Sequence, residues 1–142
     1  PHGQSPQFQG RERRGTSLGR HSRSERSDLT AARRARARWG EQRAADWYQR
    51  NGYEVIARNW LMRGAELDVV ARRGKLIVVC EVKSRANNNF GTPLEAMTTT
   101  KQHRVRRAGY AFVRELAEQG CSLRFDVATV LGTQLTVYED AF

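Results

Sequence analysis

The chain has 142 residues, and its 25 Lys and Arg against 15 Asp and Glu give a formal net charge of +10. That length suits one domain and excludes a large multidomain enzyme. The longest apolar run, Leu76 to Cys80, is far shorter than a membrane-spanning helix, and the two cysteines, Cys80 and Cys121, form no C-x-x-C pair. We therefore expect a soluble, cytoplasmic protein with no membrane association, no disulfide framework and no zinc site. The positive charge favours a polyanionic partner, and a basic surface that only aids solubility is the alternative.

The first part of the chain is rich in Arg, Ser, Gly and Gln and has almost no large apolar side chain. Such a segment buries too little surface to offset the entropy that is lost on ordering. We therefore predict a disordered tail over residues 1–28 and a folded domain over residues 29–142. The tail either touches nucleic acid without specificity or is a solvated extension.

The remaining sequence alternates between helical and extended patterns, separated by turn residues. In chain order the predicted elements are a helix from Asp28 or Thr30 to about Asn51, strands Tyr53–Arg58, Glu66–Arg72 and Lys75–Ser84, a helix start at Thr92-Pro93-Leu94-Glu95 that is interrupted at Thr98–Thr100, a longer helix Lys101–Glu118 that Gly120 ends, and strands Leu123–Leu131 and Gln134–Tyr138. This α-β-β-β-α-β-β order is typical of an α/β fold with a mixed sheet between helices.

Acidic side chains on the second and third strands are predicted to share one face. Side chains alternate along a strand, so Glu66 and Asp68 share a face, and Glu81 and Lys83 do the same. A hairpin turn at Arg73-Gly74 would place Glu66 opposite Glu81 and Asp68 diagonal to it. An exposed strand face with ordinary cross-strand salt bridges is the alternative interpretation.

Carboxylates that cluster in this way repel one another unless a cation or protons compensate. Carboxylate oxygens suit magnesium or manganese better than zinc. We predict that Asp68 and Glu81 hold such a cation, which would polarise a phosphoryl oxygen and lower the pKa of bound water. Lys83, on the same face, would orient the nucleophile or offset developing charge.

Short sequence motifs add a family resemblance to this pattern. Asp68, followed thirteen positions later by Glu81-Val82-Lys83, resembles the D…(D/E)-x-K signature of restriction-endonuclease-like nucleases. Together with its neighbours it resembles the YraN family of uncharacterised bacterial proteins, which are described as endonucleases largely by inference, over roughly Arg36 to Tyr138. The motifs that carry this resemblance are Trp39-Gly40-Glu41, Gly52-Tyr53, Ala57-Arg58-Asn59-Trp60, Ala65-Glu66-Leu67-Asp68, Glu81-Val82-Lys83-Ser84-Arg85, Phe90-Gly91-Thr92-Pro93 and Arg124-Phe125-Asp126-Val127.

The resemblance implies a restriction-endonuclease-like core in which Asp68 and Glu81 are the metal ligands and Lys83 is the catalytic lysine. Glu41 matches a helical glutamate that completes the acidic cluster in the related archaeal Holliday-junction resolvases. Its place on the apolar stripe of the first helix, three residues before Ala44, agrees with that role. Branched DNA as a substrate and a homodimer as the assembly are implied by the same resemblance.

Basic side chains near the predicted site are candidates for contacts with DNA phosphates. Lys101 starts a helix on which Arg104 and Arg107 form part of a basic cluster, and Arg85 ends the third strand. We predict that these four residues bind the nucleic-acid backbone. The alternative is an ordinary solvated helix face.

Two main functions remain open from the sequence, and a protein-interaction role through the Arg-rich tail is a weaker third. The first is a magnesium- or manganese-dependent endonuclease that hydrolyses DNA phosphodiester bonds, with Glu41, Asp68, Glu81 and Lys83 as catalytic residues. The second is a nucleic-acid-binding protein that has a nuclease-like fold and no catalysis. Non-specific or structure-specific DNA is the expected partner in either case, and the roles of Glu66 and Asp126 stay open.

Overall fold

A computed structural model describes residues 22–86 and 93–142. Its elements are helix α1 (Arg23–Arg50), strands β1 (Glu54–Met62), β2 (Ala65–Arg73) and β3 (Leu76–Arg85), a 3-10 turn (Pro93–Ala96), helix α2 (Thr99–Leu116), and strands β4 (Ser122–Leu131) and β5 (Gln134–Tyr138). The sheet has the order β1-β2-β3-β4-β5, with β3 and β4 parallel and the other neighbours antiparallel. The predicted α/β class, with a mixed sheet and the order α-β-β-β-α-β-β, is confirmed. In the described part of the chain, neither helix is long and apolar enough to cross a bilayer.

Helix α1 begins before Asp28, the first of the predicted caps. The Ser22 hydroxyl accepts a hydrogen bond from the Glu25 backbone N–H at 3.3 Å, and the Glu25 carboxylate accepts one from the Ser22 backbone N–H at 2.7 Å. This reciprocal capping box starts the helix. Residues 23–28, which we predicted as part of a disordered tail, are therefore helical.

Helix α2 also differs at both ends from its prediction. Thr98 caps it by accepting a hydrogen bond from the Lys101 backbone N–H at 3.3 Å, so that the helix starts two residues early, at Thr99. Ala117 ends it in the left-handed region, at φ 53°, rather than Gly120. Three features fall outside the described residues: the predicted tail over 1–21, the run Asn87–Asn89, whose composition predicts a loop, and the predicted helix cap at Thr92.

The two helices cover opposite faces of the sheet. Buried residues of α1, such as Ala44 and Tyr48, pack against one face of the central strands, and buried residues of α2, such as Val105 and Phe112, pack against the other. Along β3 the alternation is regular: Val78 and Cys80 face α1, whereas Ile77 and Val79 face α2. The residues that follow at odd positions on β3 therefore belong to the α2 side.

A buried ion pair fixes α1 against the sheet. Asp126 is fully buried, and its carboxylate accepts hydrogen bonds from the Tyr48 hydroxyl at 2.6 Å, from the Asp140 backbone N–H at 3.0 Å, and from Nε and Nη2 of Arg124 at 2.8 and 2.9 Å. Both carboxylate oxygens are satisfied, so Asp126 has a structural role. Tyr48 lies seven residues after Glu41, which places the two on one face of the helix.

We predict that Tyr48→Phe lowers the free energy of unfolding by about 1–3 kcal/mol, because the Asp126 carboxylate loses a buried donor. Urea denaturation measures the change. Tyr138→Phe is the matched control, since Tyr138 is 40% exposed, and its effect should stay within about 0.5 kcal/mol. Equal losses in both variants would mean that the Tyr48 hydroxyl does not anchor the helix.

Candidate active site

The pairing of β2 with β3 differs from the predicted register. The hairpin turn lies at Gly74-Lys75, one residue later than predicted, and the last pair before the site is Val69 opposite Cys80. The predicted pairing of Glu66 with Glu81 is therefore wrong. Instead, the aspartate before Val69 lies next to the glutamate after Cys80.

The regular alternation of β2 breaks at Asp68. Leu67 packs with the α2-side cluster and Val69 with the α1-side cluster, although regular alternation would place both on one face of the sheet. The Asp68 carboxylate Oδ2 accepts a hydrogen bond from the Val82 backbone N–H at 2.9 Å. A main-chain carbonyl would accept that bond in a continuous ladder. The carboxylate is thus held against β3, beside Glu81.

The predicted acidic residues of β2 and β3 line one pocket with two cations of α2. This pocket has a volume of about 200 Å³, and its polar lining comprises Glu66, Asp68, Glu81, Lys101 and Arg104. The structure therefore brings together the carboxylates that the sequence singled out. It also adds Glu66, whose role the sequence left open.

Glu81 is the most constrained carboxylate of the pocket, with only 6% of its surface exposed. Its Oε1 lies 3.1 Å from Nζ of Lys101 and 3.5 Å from Nζ of Lys83. Its Oε2 is buried and has no hydrogen-bond partner among the described residues. A buried carboxylate oxygen without a donor is costly, and it is the atom that a cation would satisfy.

Burial shifts the protonation of the groups around Glu81. Burial and, after it, the charge of Glu81 raise the pKa of Asp68, the hydrogen bond from Val82 lowers it, and the net value is about 8. Burial also lowers the pKa of Lys83, and its hydrogen bond with Lys101 adds to this effect. Although burial alone would lower the pKa of Lys101, its contacts with Lys83 and Glu81 raise it overall. At neutral pH the Asp68 carboxyl is therefore protonated, and the Lys83 ammonium loses its proton more readily than an exposed one.

Glu41 reaches the acidic group from α1. Gly40 allows the helix to approach β3 closely, because a Cβ at that position would lie only 3.0 Å from Cβ of Ser84. Burial raises the pKa of Glu41, and the charge of Glu81 contributes to the rise. Glu41 in turn raises the pKa of Asp68. The predicted fourth carboxylate is therefore electrostatically part of the cluster.

Asn59 is a site residue that the sequence analysis missed, since it served there only as part of a family motif. It has φ 49° inside β1, and the strand pairs on either side of it place it opposite Asp68. Its side chain hydrogen-bonds Glu41 and lowers the pKa of that carboxyl. Asparagine tolerates the left-handed region better than most residues, so an Asn within a strand was the available signal.

The four predicted phosphate-binding residues have different surroundings. Lys101 turns into the pocket, Arg104 is exposed at its rim, and Arg85 is exposed at the end of β3. The Arg107 guanidinium lies 3.5 Å from the place that a Cβ on Gly64 would take, at the turn before β2. Their roles in binding stay predictions.

The donor set fits a hard divalent cation. Among residues 22–86 and 93–142, no three His, Cys, Asp or Glu side chains are grouped to ligate one ion. Magnesium is usually held by one or two carboxylates and completes its coordination with water. Asp68 and the unpartnered Oε2 of Glu81 supply two such carboxylates, and the two lysines at Oε1 show that positive charge is stable there.

The fold and the pocket define an α/β protein with a buried carboxylate–lysine site at the junction of β2, β3 and α2. The chain belongs to the uncharacterised protein family UPF0102, whose family model matches residues 40–130. The predicted membership of the YraN family is thereby confirmed. The matched segment contains every residue assigned to the site.

Relatives in other bacteria share most of this domain. A UPF0102 protein of Acidothermus cellulolyticus is 42% identical over 111 residues, which cover 71% of this chain and 84% of the relative. A UPF0102 protein of Leifsonia xyli subsp. xyli is 43% identical over 94 residues, 66% of this chain and 80% of its own. One from Caldicellulosiruptor saccharolyticus is 40% identical over 91 residues, 64% and 77% of the two chains.

Asp68→Asn should stabilise the protein without metal at high pH. Since folding raises the pKa of Asp68 from 3.8 to about 8, the folded state keeps a proton that the unfolded state has lost. The contribution of Asp68 to stability is therefore full below about pH 4 and falls as pH rises towards 8. Urea denaturation in EDTA at about pH 5 and pH 9 measures the free energy of unfolding. Between these two pH values, that of Asp68→Asn should rise by at least about 1 kcal/mol relative to that of the unsubstituted protein. A difference that is constant with pH would contradict the raised pKa.

Asn59→Ala should lower the free energy of unfolding by about 1 kcal/mol, because alanine pays for the left-handed backbone and loses the contact with Glu41. Asn59→Gly is the matched control, since it loses the same contact but accepts the positive φ. Chemical denaturation should give a higher free energy of unfolding for Asn59→Gly than for Asn59→Ala. Equal stabilities would show that the backbone at this position is unstrained.

Proposed function

We propose that the protein is a divalent-metal-dependent endonuclease that hydrolyses DNA phosphodiester bonds in the pocket between β2, β3 and α2. One observation carries the proposal. Glu81 is nearly fully buried, yet its Oε2 has no hydrogen-bond partner in the described part of the chain, while its Oε1 is shared by two lysines. In the pocket, the proton on Asp68 and the two lysines beside Glu81 balance the negative charge of the carboxylates. A bound cation would take over that role.

Asp68 and Glu81 are the residues that would hold magnesium or manganese. When bound, the cation supplies a Lewis acid for a phosphoryl oxygen and lowers the pKa of a water molecule. Glu41 lies close enough to act on both carboxylates electrostatically. It completes the negative charge that favours a divalent over a monovalent ion.

Lys83 is the candidate for proton transfer and charge compensation at the reacting phosphate. It lies on the same strand face as Glu81, 3.5 Å from the carboxylate. Burial lowers the pKa of Lys83, so its ammonium group releases a proton more readily than that of an exposed lysine. A cation held by Glu81 would weaken the ion pair of that carboxylate with Lys101, and the Lys101 ammonium would then be available to a phosphate oxygen.

The basic rim of the pocket points to nucleic acid as the substrate. Arg104 and Arg107 follow Lys101 at helical spacing along α2, and Arg85 ends β3. Guanidinium groups bind phosphate oxygens in a bidentate manner and carry no base specificity there. Non-specific or structure-specific cleavage fits this rim better than sequence-specific cleavage. Branched DNA and a homodimer follow from the family resemblance and belong to the proposal.

The test is cleavage of supercoiled plasmid and of a four-way junction with Mg²⁺ or Mn²⁺. We expect Asp68→Asn, Glu81→Gln and Lys83→Ala each to lower the rate by at least about 100-fold, since each removes charge that acts on the transition state. Lys75→Ala is the matched control. Lys75 is exposed at the opposite end of β3, and its loss should change the rate less than about twofold.

Cleavage that survives Asp68→Asn and Lys83→Ala would come from another site or a contaminant, and the proposal would fall. The second candidate, a binding protein without catalysis, predicts a different result. DNA would bind without any divalent ion, affinity would fall steeply with salt, and no cleavage would occur with either metal.

A further inference from the structure

The first part of helix α1 leaves the body of the domain. Every residue from Arg23 to Trp39 is exposed, and the first buried residue of the helix is Gly40. We call residues 23–39 the basic arm. The arm precedes the segment that the family model matches, residues 40–130.

Most arginines of the arm lie on one broad side of the helix, and the other side carries Ala32, Ala35 and Trp39. The charged residues of the arm are Arg23, Arg26, Arg33, Arg34, Arg36 and Arg38 against Glu25 and Asp28. The large apolar residues, Leu29 and Trp39, lie ten positions apart and are 48% and 40% exposed. An ordinary surface helix has a polar face because its other face is buried. The arm has no such buried face, so contact with the domain does not explain its charges.

The arm starts at the end of the sheet that carries the site. Gly40, at its base, packs against Ser84 on β3. Residues of the arm, including Arg36 and Trp39, line an open groove together with the β4–β5 turn at Gly132 and Thr133. The Gly132 backbone N–H donates to the carbonyl of Arg85, the last residue of β3, at 2.9 Å. The arm therefore extends from the same strand end as Lys83 and Arg85.

We propose that the basic arm binds the phosphate backbone of a nucleic-acid duplex outside the pocket. This inference rests on the proposed function only for DNA as the substrate. The apolar side chains that lie together on the arm, Ala32, Ala35 and Trp39, line the groove at the β4–β5 turn. Most of the arginines lie on the other side of the helix, where their charges suit a polyanion better than an apolar protein surface. To bind a polyanion, the arm needs only positive charges spread over a sufficient length. At 1.5 Å per residue the arm spans about 25 Å, which is the length of about seven base pairs.

The experiment measures binding of a 30-base-pair duplex by fluorescence anisotropy, in EDTA, at several salt concentrations, with the full chain. The arm variant is Arg33→Gln, Arg34→Gln and Arg38→Gln. The control variant is Arg50→Gln, Lys75→Gln and Arg114→Gln, three exposed cations away from the arm and the pocket. Both variants lose the same net charge, so a long-range effect of total charge cancels between them.

We expect the arm variant to weaken binding by at least about tenfold near 0.1 M salt, and the control variant by less than about threefold. The slope of log K against log salt should also decrease by about 2 to 3 in the arm variant, since each phosphate contact contributes about 0.9. Equal affinities and slopes in the two variants would overturn the inference and leave an acidic protein as the arm's partner.

The outcome is separable from that of the proposed function. If the arm variant binds weakly and the unsubstituted protein cleaves nothing with Mg²⁺ or Mn²⁺, the arm inference holds and the endonuclease proposal is wrong. If the two variants bind alike and the unsubstituted protein cleaves DNA, the reverse is true. If the unsubstituted protein binds no duplex, the arm inference is wrong, and the cleavage assay with metal alone decides the endonuclease proposal.

Discussion

A carboxylate with almost no access to water must be neutralised by its neighbours, and that requirement governs the centre of this protein. Two lysines neutralise Glu81 through its Oε1 only. Its Oε2 has no hydrogen-bond donor in the described part of the structure. Placing Asp68 beside it adds a second acid, which burial keeps protonated at neutral pH. The charges of the site are therefore balanced without a cation, and the buried Oε2 of Glu81 is the oxygen that a cation would satisfy.

The fold supplies this arrangement through departures from regularity rather than through regular strands alone. β3 is a regular central strand that carries Glu81 and Lys83 on the α2 side. β2 loses its alternation where Asp68 bonds the main chain of β3, directly opposite the left-handed Asn59. The buried Asp126 holds α1 in place through Tyr48, and Gly40 allows that helix to bring Glu41 towards the other acids. The break in β2 and the left-handed Asn59 cost local stability or regularity, as is common where side chains are assembled for chemistry.

Much of this could be predicted from the sequence where periodicity decides the answer. The element order followed from turn residues between periodic segments, and the shared face of Glu81 and Lys83 followed from the alternation of β3. The hairpin register failed because Arg73-Gly74 and Gly74-Lys75 are equally plausible turns from composition. The start of α1 failed because its first turns have no apolar stripe, and only the Ser22–Glu25 cap marks them. The ion pair of Lys101 with Glu81 depends on how α2 packs across β3, which local sequence does not encode.

The central claim is that Asp68 and Glu81 form a binding site for one divalent cation. Calorimetric titration of the protein with Mn²⁺ at pH 7, in two buffers of different ionisation enthalpy, tests it most directly. We expect one bound ion and the release of about one proton, since the Asp68 carboxyl must ionise to ligate it. We also expect that Glu81→Gln removes the binding. Binding that is unchanged in Glu81→Gln, or no binding in the unsubstituted protein, would contradict the account.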